Sequence, residues 1–158
     1  MADRIAINTG PLIALARADA LDVLSELPIE FVCPREVEQE IKAGAALGYP
    51  VVLPPWLEVL ALGRPLDPVS LASLDAGEAA VIQLALEQGI GRVCIDDRKG
   101  RRAALAVGLD VVGSLGLLAR AKHLGIVTAV RPLVDRLSAE GAWYDAELLR
   151  RFYVAIGE

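Results

Sequence analysis

Short apolar runs rich in β-branched residues recur along this chain, and segments of helical length separate them. Such runs occupy residues 5–8, 29–33, 93–96 and 111–113. Parallel strands need long crossovers, usually helical, so this alternation limits the chain to a small set of folds. The predicted fold class is α/β, a three-layer α/β/α sandwich with a mostly parallel central sheet. Pro11 opens the first helix, where proline forgoes no hydrogen bond, and Leu12, Leu15, Ala16 and Leu24 form its apolar face. Pro34 starts a second helix, with Val37 and Ile41 on one side. Further helices are predicted over 75–88, with Ala79, Ile82 and Leu86 as its face, and over 100–107. Ser114 caps a helix reaching about residue 123, and two more follow over 130–140 and 145–156.

Residues 44–73 are less regular and contain Pro50, Pro54, Pro55, Pro65 and Pro68; within them, 56–62 reads either as a strand or as an excursion packed on the sheet. The 158 residues fit one domain spanning 1–158. Its last two helices (about 129–158) form a C-terminal extension packed upon it.

A chain that is 54% hydrophobic and 23% charged can bury a core, which argues against disorder. Glu58 and Asp110 interrupt the longer apolar stretches, so no membrane span is expected. No apolar signal core follows Asp3 and Arg4, and the cytoplasm is the expected location. Cys33 and Cys94 lack the companions of a zinc site or disulfide framework and read as buried thiols. A net charge of −5 argues against binding polyanions by bulk electrostatics, so the local charge distribution carries more information.

That distribution is most telling at residues 92–102, where a strand ends in Asp96 and Asp97 and four cations follow: Arg98, Lys99, Arg101 and Arg102. Open α/β sheets bind ligands beyond the carboxyl ends of their strands. Asn8 ends the first strand, and Glu40 and Glu78 lie on helices near enough to strand connections to face the same edge. Gathered acids suit Mg2+ or Mn2+, hard cations that take oxygen ligands. The chemistry would be positioning of a water and stabilisation of charge on phosphorus oxygens, while the cations grip phosphate. Each residue also has a structural reading. Asp75 and Glu78 have capping-box spacing, Glu40 sits among acids on a helix that would ordinarily be solvated, either aspartate can cap the next helix, and the basic run can be a solvated face pairing with acids. His123, the single histidine, reads as a surface or helix-end residue. Aromatics concentrate near the C-terminus, where Leu148, Leu149, Phe152 and Tyr153 recur at helical spacing, which fits core packing or a partner contact.

The ordered set of segments 7–15, 33–41, 74–79, 95–102 and 112–118 resembles PIN-domain proteins, specifically the compact prokaryotic VapC-like branch. The resemblance covers about residues 5–137. It implies a Mg2+- or Mn2+-dependent ribonuclease with an RNase H-like sandwich. Its acidic quartet would fall on position 8, Glu40, Glu78 and Asp97, with Asp96 as an accessory. It also implies RNA as substrate, an antitoxin protein as partner, and a homodimer.

The chain departs from that pattern at position 8. The family has aspartate, then threonine and usually serine; here the residues are Asn8, Thr9 and Gly10. An amide oxygen can ligate a metal but brings no charge. Two functions therefore stand: a metal-dependent ribonuclease, or a PIN-like module that binds RNA or a protein without cutting. A receiver domain needs an acidic pair after the first strand, and no nucleotide-binding glycine motif appears.

Overall fold

The computed structural model describes residues 3–48 and 53–158; Pro50, predicted to lie in the irregular stretch, falls outside them. The chain begins with β1 (Asp3–Ile7), α1 (Thr9–Arg17) and the single-turn α2 (Asp22–Ser25). Next come β2 (Ile29–Pro34), α3 (Arg35–Ala46), β3 (Glu58–Leu60), α4 (Pro68–Leu71) and α5 (Ala76–Gln88). The second half contains β4 (Arg92–Cys94), α6 (Arg98–Ala106), β5 (Asp110–Val112), α7 (Ser114–His123), α8 (Arg131–Ala139) and α9 (Ala146–Ile156).

The five strands form one sheet in the order β3-β2-β1-β4-β5, and every pairing is parallel. This is the α/β/α sandwich that the strand–helix alternation predicts. β1 is the centre, and its Ile5, Ala6 and Ile7 are buried, as a strand covered on both faces requires. From β1 the chain steps outward through β2 to β3, then returns across the sheet and lays β4 on the other side of β1. The reversal places a topological switch point between β1 and β4.

α5 makes that return. It touches β1, β2 and β4 as well as α3 and α6. The sequence assigns it one face through Ala79, Ile82 and Leu86, but Ala80, Val81, Leu84 and Ala85 are buried too, while Leu86 is 52% exposed. A helix enclosed on several sides is apolar nearly all round, and its periodicity is blunted.

Several boundaries differ from the sequence expectation. α1 opens at Thr9, so Pro11 is its third residue, and it ends at Arg17 before Asp19 takes a left-handed φ of 54°. Leu24 therefore belongs to α2. α6 begins at Arg98 because Asp97 caps it, and Gly113 rather than Ser114 holds the cap position of α7. The ambiguous 56–62 segment contributes β3, a three-residue edge strand.

At the C-terminal end, α8 packs against α1 and α9 against α7. Glu158 ties these helices together: Oε2 accepts from Val130 N at 2.7 Å and Lys122 Nζ at 3.0 Å, and Oε1 accepts from Arg131 N at 3.0 Å. Of the apolar stripe on α9, Tyr153 is buried beneath the Arg131 guanidinium, Leu149 and Phe152 are half-buried, and Leu148 stands largely exposed.

Candidate functional site

Asn8 lies where β1 meets the switch point. Its backbone N–H donates to the carbonyl of Cys94 at 3.0 Å, which joins the ends of β1 and β4 directly. It is the N-cap of α1 and only 7% exposed, yet its side chain makes no cap bond. An asparagine there normally accepts from the second or third helical N–H. Here the third helical residue is Pro11, which has none. Asn8 Oδ1 is left buried without a hydrogen-bond partner.

Glu78 and Asp97 are brought together from α5 and α6. Glu78 sits in the first turn of α5 within a reciprocal capping box: its N–H donates to Asp75 Oδ1 at 2.7 Å, and Asp75 N donates back to Glu78 Oε2 at 3.4 Å. The predicted capping box is therefore formed, and it fixes the Glu78 carboxyl at the start of α5. Burial pushes the Glu78 carboxyl up to about 7, reinforced by the negative charges of Asp75 and Asp97. Asp97 adds to this rise through both its charge and side-chain hydrogen bonding, which places the two acids near one another. Asp97 caps α6 through Oδ2 alone, which accepts from Lys99 N at 2.9 Å and Gly100 N at 3.2 Å. Gly100 is required by this packing, since a Cβ there would sit 2.8 Å from Ile95 Cγ2.

Glu40 reaches the same region from α3. Its Oε2 accepts a 2.5 Å hydrogen bond from Thr9 Oγ1, one residue beyond Asn8. Its carboxylate also lies over the backbone of Gly77, the neighbour of Glu78, where a Cβ would collide with both oxygens. Glu40 thus lies beside the residue next to Glu78, Glu78 interacts with Asp97, and Asn8 joins this edge through its backbone bond to Cys94. Among the described residues, however, no three His, Cys, Asp or Glu side chains form a group able to hold a metal ion.

Asp96 is differently placed. Oδ1 accepts from Ser114 N at 2.7 Å and Oδ2 from Ser114 Oγ at 2.5 Å, so both oxygens serve the start of α7. Among the basic residues, Arg98, Lys99 and Arg102 are exposed, whereas half-buried Arg101 donates from Nη1 to the Ile95 carbonyl at 2.9 Å. None of the four forms an ion pair among the described residues.

Four participants escape a reading of the sequence as motifs. Thr9 holds Glu40, Gly77 admits it, and Ser114 holds Asp96. Tyr144 completes the group: burial raises its phenol to about 12, with Asp96 adding to the effect, so the α8–α9 connection reaches the site. Nothing local to the sequence around Tyr144 signals this. His123 is exposed in the last turn of α7, as expected, and both cysteines are buried free thiols.

A family model described as a PIN domain (DUF3368) matches residues 4–158, so the chain belongs to the PIN-domain family. No curated protein and no solved structure matches it significantly. No helix among the described residues is long and apolar enough to cross a membrane.

Proposed function

We propose that this PIN-family chain is a metal-dependent ribonuclease of the VapC-like kind, with an antitoxin protein as its partner. The observation that carries the reading is the buried Glu78 near Asp97, with neither acid in an ion pair among the described residues. Two acids held this way repel each other unless protonated or bridged, which makes the site a receptor for positive charge.

The donor chemistry fits a hard divalent ion. Carboxylate and amide oxygens surround the switch point, and Asn8 Oδ1 is a buried acceptor awaiting a partner. Mg2+ commonly uses one or two carboxylates and keeps several waters rather than filling an all-protein cage. Glu78 and Asp97 would hold Mg2+ or Mn2+, with Glu40 and Asn8 completing the oxygen set and Asp96 kept as an accessory by its neighbour. The ion would supply charge stabilisation at phosphorus. The chain's own residues exclude bulk water around Glu78, fix Glu40 through Thr9, and leave Arg98, Lys99 and Arg102 free to meet the RNA backbone; Arg101 would act from its anchored position. Helices α8 and α9 read as an extension of the same domain, and exposed Leu148 and Val154 on α9 suit a homodimer or antitoxin contact.

A second reading is favoured by Asn8, whose amide removes one charge from the quartet: a PIN module that binds without cutting. One experiment separates the two. Mn2+ is titrated against cleavage of a mixed single-stranded RNA panel by the natural chain, Asn8→Asp and Asp97→Ala. Cleavage by the natural chain that Asp97→Ala abolishes supports the nuclease. Cleavage only after Asn8→Asp supports the binding module, and silence from both natural chain and Asn8→Asp rejects the ribonuclease reading.

A further inference from the structure

A concavity opens on the same edge of the sheet, on the β3 side of the candidate site. It has a volume of about 380 Å³ and lies between the start of α3 and residues 61–66, which leave the carboxyl end of β3. Arg35, Glu36 and Gln39 line it from α3, and Arg64 lines it from the segment after β3. Neither arginine forms a close ion pair among the described residues, although the Arg64 charge joins the backbone bonds in holding the Glu87 carboxyl below its ordinary range. The first turn of α3 carries no side-chain cap, so its N–H groups add positive potential at this mouth.

The outer wall is built, although it has no regular secondary structure. Glu87 of α5 accepts from Gly63 N at 2.8 Å and Arg64 N at 3.2 Å, and Gln83 Nε2 donates to the Arg64 carbonyl at 2.8 Å. Two side chains of a core helix thus fix the backbone that presents Arg64. On the inner wall, Glu36 and Glu40 are one helical turn apart on α3, so the concavity adjoins the candidate site. Glu36 Oε1 is buried without a hydrogen-bond partner.

We infer that this concavity is a nucleotide subsite for single-stranded RNA, with Arg35 and Arg64 binding a phosphate and Glu36 and Gln39 contacting the adjoining base. The inference rests on the nuclease reading above, because its ligand would be part of the same strand. Guanidinium groups suit phosphate geometry. A carboxylate and an amide suit the hydrogen-bonding edge of an unstacked base, the form in which RNA sequence is usually read. The volume of about 380 Å³ leaves room for one nucleotide. Glu36 repels phosphate, so the strand would thread with its backbone toward the arginines and its base toward α3.

The test measures binding and cutting separately. Anisotropy of a labelled single-stranded RNA is recorded with Asp97→Ala as the non-cutting background, alone and combined with Arg35→Ala/Arg64→Ala. Loss of both arginines should weaken binding by about tenfold or more and lower the salt slope by about 0.7 per arginine. Arg35→Lys/Arg64→Lys should recover part of it, and Glu36→Gln should change the ranking of homopolymers. Unchanged affinity and salt slope in the double alanine variant overturn the subsite, even if the natural chain cleaves RNA. Arginine-dependent binding by a chain that never cleaves supports the subsite and rejects the nuclease reading instead.

Discussion

The Thr9 hydroxyl donates to Glu40 Oε2 at 2.5 Å, tying the first residue of α1 to the middle of α3. Glu40 is half-buried and also covers Gly77, so its position depends on a donor on one side and a missing side chain on the other. Thr9→Val keeps the shape and removes the donor. It should lower stability by roughly 1.5–3 kcal/mol, the range for a hydrogen bond to a charged group. Thr9→Ser should retain most of it. Denaturant melts of the three chains measure the difference directly.

Gly77→Ala tests the other side. Alanine is worth about 1 kcal/mol over glycine in a helix interior, so simple propensity predicts a gain. The new Cβ must instead push the Glu40 carboxylate away from its seat. The expected outcome is little or no gain in stability together with weaker Mn2+ binding by calorimetry. A clear gain in stability with unchanged Mn2+ affinity would show that Glu40 plays no part in the site.

Asn8→Asp places a carboxylate where an amide is now 7% exposed and unpaired at Oδ1. Without metal the added charge is buried close to the switch point, and the Tm should fall. With Mn2+ it should recover and exceed the rise given by the natural chain, because an ion that binds only the folded state stabilises it by mass action. Thermal melts in EDTA and in a Mn2+ series test both halves. Equal Mn2+ responses from the two chains would rule out Asn8 as part of the ion's surroundings.

The fold was legible because each parallel strand requires a helix-length crossover, and that spacing survives in the sequence around Ile5, Phe31, Val93 and Val111. The bond between Asn8 and Cys94 follows from strand order, which periodicity cannot state: β4 had to lie beside β1 rather than beyond β3. Asp96 and Asp97 are adjacent in sequence yet diverge in use, one bound to Ser114 and the other capping α6 beside Glu78. Only the packing of α7 separates them. Tyr144 is the extreme case, since its proximity to Asp96 arises from how the C-terminal helices close on the sheet.

Glu158 provides the acid-sensitive element. Backbone N–H groups of Val130 and Arg131, with Lys122, hold its carboxyl down at about 2. A depressed carboxylate adds stability that is fully present above its ordinary value of 4.5 and disappears as pH falls toward 2. Glu158→Gln should therefore be less stable than the natural chain at pH 7, and the gap should close between those two values. Melts across that range would refute the assignment if the gap stayed constant.

Ser114 is fully buried and satisfies both oxygens of Asp96, one through its N–H and one through its hydroxyl. Ser114→Ala removes the second bond and leaves Oδ2 without its hydroxyl donor. The geometry makes Asp96 first a strap between the end of β4 and the start of α7, and the expected loss is roughly 1–3 kcal/mol. Asp97 owes nothing to Ser114, so Mn2+ affinity should change little in Ser114→Ala while stability falls. Paired calorimetry and denaturant melts distinguish this from a direct role at the ion. If Mn2+ affinity instead dropped in step with Asp97→Ala, Asp96 would be a ligand and Ser114 the residue that orients it.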